Sequence, residues 1–345
     1  MKTATKTTTL EIQNAFNNFE QIAADFKATQ LTSGHINQTF KVHNHQKDYI
    51  LQKVNTDVFN NLEGITLNIH SISQHLKSNG YPQPILTPIN FQSGSFLHEE
   101  KWRLFNYFED IQSFEKVQNQ EQAFEAAKFL GEFHFYLKDF DADSLKESIK
   151  GFTNFEARIL QFKESLNTAS PERLDLARKE ISFLLAQTSI IDQWQKIVQK
   201  TPKRLIHADP KISNFLFNKN TSTQIKAIID WDTIMCGTIL YDFGDMVRSF
   251  TNLKEEDDSK IGNNFNYDYY KAIKQGFLHH LASELKSIEI DNLDLAAKTV
   301  VLIQAIRFLT DYLNNDTYYA TKYPNHNLLR AKNQLNLFSE IVEHT

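Results

Sequence analysis

Residues 205–217 have the sequence LIHADPKISNFLF, and this stretch decides the fold. Two short apolar runs, Leu205-Ile206 and Phe215–Phe217, stand on either side of a polar loop. Such runs predict two short strands joined by the loop. The loop carries Asp209, and Asn214 follows five residues later. Because a loop bounded by strands can direct both side chains into one cleft, the stretch predicts a carboxylate and an amide side by side.

A second acidic site follows the next apolar run of the chain. Residues 225–229 have the sequence IKAII, and Asp230-Trp231-Asp232 comes directly after them. A buried strand that ends at an aspartate can present that carboxylate to a cleft, where a metal ion would meet it. Asp232, two residues on, is interpreted either as a second metal ligand or as a substrate contact. The two acidic segments are separated by the length of one β-hairpin, which favours a common site.

The spacing of the first segment is typical of a kinase catalytic loop, with His207 two residues before Asp209 and Asn214 five residues after it. Phosphoryl transfer requires a carboxylate that accepts the proton of the acceptor hydroxyl and an oxygen ligand for Mg²⁺. We therefore interpret Asp209 as the catalytic base, which also contacts the acceptor. Asn214 and Asp230 are interpreted as metal ligands. His207 is expected to orient the loop or to pack beneath it.

From about residue 30 to 108 the pattern is mostly that of strands. Thr39–His43 and Tyr49–Val54 flank a polar turn, which predicts an antiparallel pair. Two further strands are expected over Ile85–Phe91 and Lys101–Phe108, and Pro88 predicts that the first of these lies at a sheet edge. One helix is expected between the two pairs, because apolar residues recur there at steps of three and four: Leu62, Ile65, Ile69, Ile72 and Leu76.

Beyond about residue 115 the pattern is mainly helical. Helices are expected over roughly 123–137, 152–166, 172–200, 266–286, 293–315 and 326–343. Another begins near Tyr241, and Asp242 is interpreted as its N-cap. The predicted fold class is therefore α+β, with two lobes. Residues 1–108 form a small antiparallel-sheet lobe with a helical N-terminal extension, and residues 109–345 form a large, mainly helical lobe.

Composition narrows the kind of partner. The 345 residues are 41% hydrophobic and 12% aromatic, which is enough for a substantial core. The net charge is −5, and the scattered Lys and Arg residues give no basic patch for nucleic acid or an acidic membrane. A single cysteine, Cys236, cannot form an internal disulfide, and no apolar stretch is long enough for a signal peptide or membrane helix. We expect a cytoplasmic monomer or homodimer that binds a small-molecule substrate.

Several segments together resemble the aminoglycoside phosphotransferase and choline kinase family, whose members have the bilobal protein-kinase-like fold. The resemblance runs over roughly residues 28–340, and within the family it is strongest to the N-acetylhexosamine 1-kinases. It implies ATP and Mg²⁺ as cofactors and the anomeric hydroxyl of a sugar as acceptor. The segments that carry it are GHINQT at 34–39, YILQK at 49–53, WRLF at 102–105, HADPKISN at 207–214, IDWDT at 229–233, RFLTDYLNNDTYY at 307–319 and HNLLRAKNQ at 326–334.

The resemblance also assigns roles in nucleotide binding. It implies that the turn at 34–39 covers the phosphates, that Lys53 pairs with them and that a hinge at 106–109 meets the adenine. The nucleotide contacts implied in this way are Gly34, His35, Asn37, Thr39, Lys53, Phe105 and Tyr107. Strand alternation places Gln52 and Lys53 on opposite faces, so either could face the cleft. The acidic partner of the lysine stays open, since the helix offers only Glu63 and Asn68.

The same resemblance implies that the segment from residue 307 to 334 lines the sugar pocket. Arg307 and Asp311 are four residues apart on a predicted helix and therefore share a face, either as substrate contacts or as a solvated salt bridge. The expected acceptor contacts are Asp209, Asp232, Arg307, Asp311 and Tyr312. Two other functions remain open: a kinase acting on an amino alcohol, a homoserine-like acceptor or an aminoglycoside, and a catalytically silent nucleotide-binding module.

Overall fold

The computed structural model describes residues 7–31, 37–56, 58–59, 61–99 and 101–345. The N-terminal part contains a five-stranded antiparallel sheet in the spatial order β1-β2-β3-β5-β4. The strands are β1 Lys27–Leu31, β2 Gln38–Asn44, β3 Lys47–Lys53, β4 Pro88–Ile89 and β5 Trp102–Asn106. The predicted edge position of Pro88 is confirmed, because β4 ends the sheet on one side and a missing N–H is tolerated there.

A two-residue turn joins β2 to β3. His45 and Gln46 both have positive φ, +49° and +63°, which is the turn geometry that matches the twist of antiparallel strands. The predicted polar turn is thereby confirmed. The other edge strand, β1, was not predicted as a separate strand. Its residues are largely exposed, so they lack the apolar alternation by which a strand is recognised.

One face of the sheet is covered by α1, Thr9–Asn17, which forms the expected helical extension. Thr8 and Glu11 form a capping box at its start. Ile12 and Phe16 of α1 are buried in a cluster with apolar residues from β2, β3 and β5. The members of this cluster on the sheet are Phe40, Val42, Leu51, Trp102 and Leu104.

The opposite face of the sheet belongs to the main core of the molecule, together with α2, Leu62–Ser78. The five apolar residues that predicted this helix are all buried. Asn61 caps its N-terminus by accepting a hydrogen bond from the Gly64 N–H at 3.1 Å. Gly80 follows its end with φ +69°, a conformation that glycine adopts without strain.

The remainder of the chain is mainly helical, so the predicted α+β class is confirmed. Its helices are α3 Gln120–Tyr136, α4 Phe155–Thr168, α5 Pro171–Leu176, α6 Arg178–Ala186, α7 Thr188–Val198, α8 Ile239–Thr251, α9 Tyr267–Leu281, α10 Ser287–Ile290, α11 Leu293–Leu313 and α12 His326–His344. Three short helices thus replace the single one expected over 172–200. No helix in the described part of the chain is long and apolar enough to cross a membrane.

Short strands interrupt the helices and position the acidic segments. A three-stranded sheet has the order β6-β8-β9, and a two-stranded one pairs β7 with β10. Their bounds are β6 Ile111–Gln112, β7 Arg204–Ile206, β8 Phe215–Asn218, β9 Ile225–Ile228 and β10 Met235–Gly237. Strands β7, β8 and β9 were predicted, whereas β6 and β10 were not. The domain boundary at 108/109 stays a prediction; the five-stranded sheet ends at Asn106 and β6 begins at Ile111.

Candidate active site

The buried carboxylate of Asp242 holds the loop between β7 and β8. Its two oxygens accept hydrogen bonds from the backbone N–H groups of His207 at 2.6 Å and Ala208 at 2.7 Å. His134 lies 3.0 Å from the same carboxylate. Ala208 has φ +65°, a left-handed conformation that is costly without such support. Asp242 therefore fixes the path of the backbone immediately before Asp209.

The prediction that Asp242 is an N-cap is wrong. Helix α8 begins at Ile239, and Thr238 is its N-cap. Asp242 lies one turn further on, where it is fully buried. Helix-cap residues are recognised from local sequence, but the groups that Asp242 binds come from more than 30 residues earlier in the chain.

His207 connects the loop to the end of β9, in agreement with its expected orienting role. Its ring is fully buried, and Nε2 lies 3.0 Å from the carbonyl oxygen of Ile229. Burial lowers the pKa of His207, which favours a neutral ring at physiological pH. With Nε2–H donating to Ile229, Nδ1 is free to accept from the Asp209 N–H, at 3.4 Å. The ring thereby links Asp209 to the residue that precedes Asp230.

The Asp209 carboxylate lies at the loop surface and is about one quarter exposed, at 25%. Its Oδ2 accepts from the Lys211 ammonium at 2.7 Å and from the Asn214 amide at 3.3 Å. Its Oδ1 accepts no hydrogen bond from the described part of the chain. Burial opposes the charge of Lys211, but Asp209 and Asp230 outweigh that effect and raise the pKa of Lys211. One carboxylate oxygen is therefore fixed while the other is available to an acceptor hydroxyl.

Asp230 follows β9 in a left-handed conformation, with φ +65°. The residue is exposed to solvent, but protein atoms also pack around its carboxylate. Desolvation first, and then the negative charges of Asp232 and Asp209, raise the pKa of Asp230 to about 7. Lys211 and Arg103 only partly offset this effect. Asp232 and Asp209 therefore lie within electrostatic range of Asp230, and a positive charge nearby would favour its ionised form.

The chemistry of the donors fits Mg²⁺. The Asn214 NH₂ group donates to the Asp209 carbonyl oxygen at 2.9 Å, so the amide oxygen is the atom left for a ligand. Asp230 supplies a carboxylate oxygen. Magnesium takes few protein ligands, and phosphates and water complete its octahedron. Among the described residues, no three His, Cys, Asp or Glu side chains could hold a metal by themselves. Asn214 and Asp230 thus suit a metal that arrives with phosphates.

Asp232, two residues after Asp230, is hydrogen-bonded to other side chains. It is almost fully buried, and its Oδ2 accepts from the Arg103 guanidinium at 2.7 Å and from the Asn37 amide at 3.1 Å. Arg103 belongs to β5 and Asn37 to the turn before β2, so Asp232 connects the sheet to the β9 end. Asn37, predicted to contact nucleotide, is thereby placed next to the acidic cluster.

The structure also shows which residue of β3 faces the acidic cluster. Gln52 donates to the Thr39 hydroxyl at 3.1 Å and accepts from Arg103, so these three side chains lie on the face toward Asp232. Lys53 lies on the other face. Its ammonium is 2.9 Å from Glu11 of α1 and 5.6 Å from the Trp102 ring centroid. Lys53 is thus not brought together with Asp209 and Asp230.

The other residues that were predicted to contact the nucleotide fall into two groups. Phe105 and Tyr107 lie at and just beyond the end of β5, on the side of Arg103. The Arg103 guanidinium is 5.0 Å from the Phe105 ring centroid, and the Lys41 ammonium is 4.2 Å from that of Tyr107. Gly34 and His35 lie outside the described residues.

Arg307 lies beside two aromatic rings. Its guanidinium is 5.0 Å from the Phe152 ring centroid and 5.7 Å from that of Tyr319. Tyr319 and Tyr241 raise the pKa of Arg307 even though burial opposes them. Tyr241 in turn lies close enough to Asp209 for that carboxylate to contribute to its raised pKa, although burial is the larger cause. Arg307 and Asp209 therefore flank the same tyrosine.

The shared face of Arg307 and Asp311 does not produce a salt bridge between them. Asp311 accepts from the backbone N–H groups of Tyr318 at 2.7 Å and Tyr319 at 2.9 Å. Tyr312 is fully buried, with the Arg173 guanidinium 4.5 Å from its ring centroid. Arg307 instead donates to Gln304 at 3.2 Å. Asp311 thus holds the loop after α11, Tyr312 packs against Arg173, and Arg307 faces the aromatic group.

Sequence reasoning missed an ion pair near the catalytic loop. Arg248 donates to Asp245 at 2.6 Å, and both lie within electrostatic range of Asp209. Burial raises the pKa of Asp245, and Asp209 raises it further. The signal was an aspartate and an arginine three residues apart in α8, a spacing that is common on solvent-exposed helices. Sequence could not show that this helix is buried against the catalytic loop.

Comparison with known proteins agrees with this geometry. The sequence profile of the phosphotransferase enzyme family (APH) matches residues 27–272. A microcompartment-associated aminopropanol kinase has a TM-score of 0.68 at 14% identity, with 98% of this chain and 97% of that chain covered. An aminoglycoside phosphotransferase from Alicyclobacillus acidocaldarius has a TM-score of 0.66 at 11% identity, with coverages of 99% and 98%.

A third solved structure, spectinomycin phosphotransferase in complex with ADP and spectinomycin, has a TM-score of 0.60 at 14% identity and covers 97% of both chains. At such identities the likeness of these structures shows the fold alone, and the predicted bilobal protein-kinase-like fold is confirmed. The profile extends over well over half of the sequence and includes both acidic segments. The chain therefore belongs to the phosphotransferase enzyme family, as the resemblance of its motifs predicted.

Proposed function

We propose that this phosphotransferase is an ATP- and magnesium-dependent kinase that phosphorylates the anomeric hydroxyl of an N-acetylhexosamine or a related sugar. The observation that carries the kinase assignment is the contact between Asp209 and Asn214, with the crowded carboxylate of Asp230 beside them. These three side chains supply the base and the two oxygen ligands that phosphoryl transfer needs.

The roles follow from the contacts of each group. Asp209 orients the acceptor hydroxyl through Oδ1 and takes its proton as the acceptor oxygen bonds to the γ-phosphorus and the bond to ADP breaks. Lys211 and Asn214 hold Oδ2, which keeps the carboxylate plane fixed. Asn214 and Asp230 would hold Mg²⁺, which supplies compensation for phosphate charge when bound. Asp242 and His207 keep the loop in position.

Nucleotide binding is assigned to the lobe of residues 1–108, with acceptor binding in residues 109–345. Asn37 and Thr39 lie on the side of the sheet that faces Asp232, and Phe105 and Tyr107 flank the chain segment that connects the lobes. The ADP in the structure of spectinomycin phosphotransferase supports an adenine nucleotide here.

The charge around Arg307 favours a neutral sugar over an amine. Burial first, and then the charge of Arg307, lower the pKa of Arg158, so the two guanidinium groups lie within electrostatic range of each other. Two neighbouring cations repel a cationic acceptor such as choline, an aminopropanol or an aminoglycoside. Their planar N–H donors and the aromatic faces of Phe152 and Tyr319 suit ring hydroxyls and an acetamido carbonyl.

An ADP-release screen tests the proposal. N-acetylglucosamine, N-acetylgalactosamine, choline, aminopropanol and an aminoglycoside are offered with Mg²⁺·ATP, and turnover is expected with the N-acetylhexosamines. Phosphorus NMR then shows whether the product is a sugar 1-phosphate. Turnover with the amines alone would overturn the sugar assignment but not the kinase. Nucleotide binding without turnover on any of these acceptors would support the catalytically silent nucleotide-binding module.

Arg307→Ala is expected to raise KM for the sugar about tenfold or more and to change KM for ATP little. Loss of hydrogen bonds from a charged donor typically costs about 1.5–3 kcal/mol. Steady-state kinetics with each substrate varied in turn provides the measurement.

Arg178→Ala is the matched control, because Arg178 is a mostly exposed arginine that pairs with Asp175 on the surface. It should leave both Michaelis constants unchanged. If Arg307→Ala lowers only the melting temperature, Arg307 braces the aromatic group and the pocket assignment fails.

A further inference from the structure

Arg103 of β5 is a cation on the cleft face of the sheet; Lys41 of β2 lies on the same face but pairs with Asp48 at 2.7 Å. The strand register pairs Thr39 with Gln52 and Gln52 with Arg103, so the three side chains form a row across β2, β3 and β5. Residues paired in this way point to the same side of the sheet. The next pair, Lys53 with Trp102, points to the opposite side, toward α1.

Two of the three nitrogens of the Arg103 guanidinium donate hydrogen bonds to neighbouring side chains. Nε and Nη2 donate to the Gln52 side-chain oxygen at 3.0 and 2.8 Å, and Nη2 also donates to Asp232. Nη1 is buried and has no hydrogen-bond partner among the described residues, although the side chain is only 3% exposed. Buried polar groups in folded proteins nearly always have a partner, so an unused guanidinium N–H indicates a missing acceptor.

The position of this unused donor points to the nucleotide phosphates. Arg103 donates to Asp232 at 2.7 Å, and Asp232 lies only two residues after Asp230, so Arg103 lies near the proposed metal carboxylate. Phosphate oxygens that share Mg²⁺ with Asp230 would come within reach of the same guanidinium. Arginine suits this task because its fork of N–H groups matches a phosphate.

Lys53 is poorly placed for the same role. Its ammonium is bound to Glu11, and the Thr8 backbone N–H, followed by Lys53, lowers the pKa of Glu11 to about 2. To reach the phosphates, Lys53 would have to leave this pair and pass to the other face of β3.

We propose that Arg103, and not Lys53, is the cationic side chain that binds the nucleotide phosphates. Gln52 fixes the plane of its guanidinium, and Asp232 holds it in the nucleotide-free enzyme. This inference rests on the proposed use of ATP but not on the identity of the acceptor. The competing explanation is that Arg103 is only a brace between the sheet and Asp232.

Binding measurements with nucleotides that differ in phosphate content separate the two explanations. Affinity for Mg²⁺·AMP-PNP is measured by calorimetry and affinity for adenosine by competition against it, for the wild type, Arg103→Gln, Arg103→Lys and Lys53→Gln. Arg103→Gln should weaken AMP-PNP binding about 10- to 100-fold, as expected for loss of charged hydrogen bonds, and adenosine binding less than twofold. Arg103→Lys should lie between, because it keeps the charge without the fork.

Lys53→Gln should weaken neither affinity. A selective loss of AMP-PNP binding in Lys53→Gln would overturn the inference, as would a parallel loss of both ligands in Arg103→Gln. If Arg103→Gln does not fold, Arg103→Lys decides: a selective loss of AMP-PNP supports phosphate binding, and equal affinities contradict it. A wild type that binds no AMP-PNP at all would instead refute the proposed function.

Discussion

Asp209→Asn is expected to reduce kcat by about 10²- to 10⁴-fold, the range typical for loss of a general base. The substitution keeps the size of the side chain, and its amide oxygen can still accept from Lys211 and Asn214. What it removes is the carboxylate that we propose as the base for the acceptor hydroxyl. Affinity for Mg²⁺·AMP-PNP should change little, because Asp209 faces the acceptor and is not an assigned metal ligand. Steady-state kinetics and calorimetry on the same protein measure the two effects.

Asp268→Asn is a suitable control for this substitution, since Asp268 is a mostly exposed aspartate paired with Lys271 on α9. Its kcat should equal that of the wild type. Retention of more than a tenth of the wild-type kcat by Asp209→Asn would mean that another group is the base.

Asp230→Ala is expected to abolish the magnesium-dependent part of nucleotide binding. Without this carboxylate the metal keeps only the neutral Asn214 oxygen, and the charge of the phosphates is poorly compensated. Calorimetry with AMP-PNP in the presence of Mg²⁺ should show the loss. In the same titration in EDTA the variant should bind AMP-PNP at least as tightly as the wild type, because the substitution removes a carboxylate that repels metal-free phosphates.

The melting temperature provides the control for Asp230→Ala. A variant that melts in EDTA as a cooperative unit is folded, so its loss of magnesium-dependent binding cannot come from unfolding. Asp230 has φ +65°, which is costly for alanine, so a small decrease of the melting temperature is expected. Unchanged affinity for Mg²⁺·AMP-PNP would place the metal on other residues.

Local pattern was sufficient for most of the fold and for the catalytic loop. The apolar face of α2 and the strands on either side of Asp209 follow from side-chain periodicity, which is a property of the chain itself. Asp209 and Asn214 meet because only five residues separate them. Asp230 joins them through a β-hairpin, which is also a short-range feature.

Features that depend on distant contacts could not be predicted. Arg103 and Asp232 are 129 residues apart, and no local pattern links them. Alternation along β3 showed that Gln52 and Lys53 face opposite sides, but only the position of α1 shows which side is outside. Helical spacing placed Arg307 and Asp311 on one face. The Asp311 carboxylate instead accepts hydrogen bonds from backbone N–H groups of the loop after α11, whose position sequence could not predict.

The helix that covers the outer face of the sheet has a practical consequence for protein production. The family profile begins at residue 27, so a fragment trimmed to the profile would lack α1. Ile12 and Phe16 would then no longer cover the apolar side chains of the sheet, which include Phe40, Val42 and Leu51. These side chains would form an apolar surface exposed to other molecules. Exposed patches of this kind cause aggregation. Recombinant fragments should therefore retain the first helix, even though it lies outside the recognisable homology.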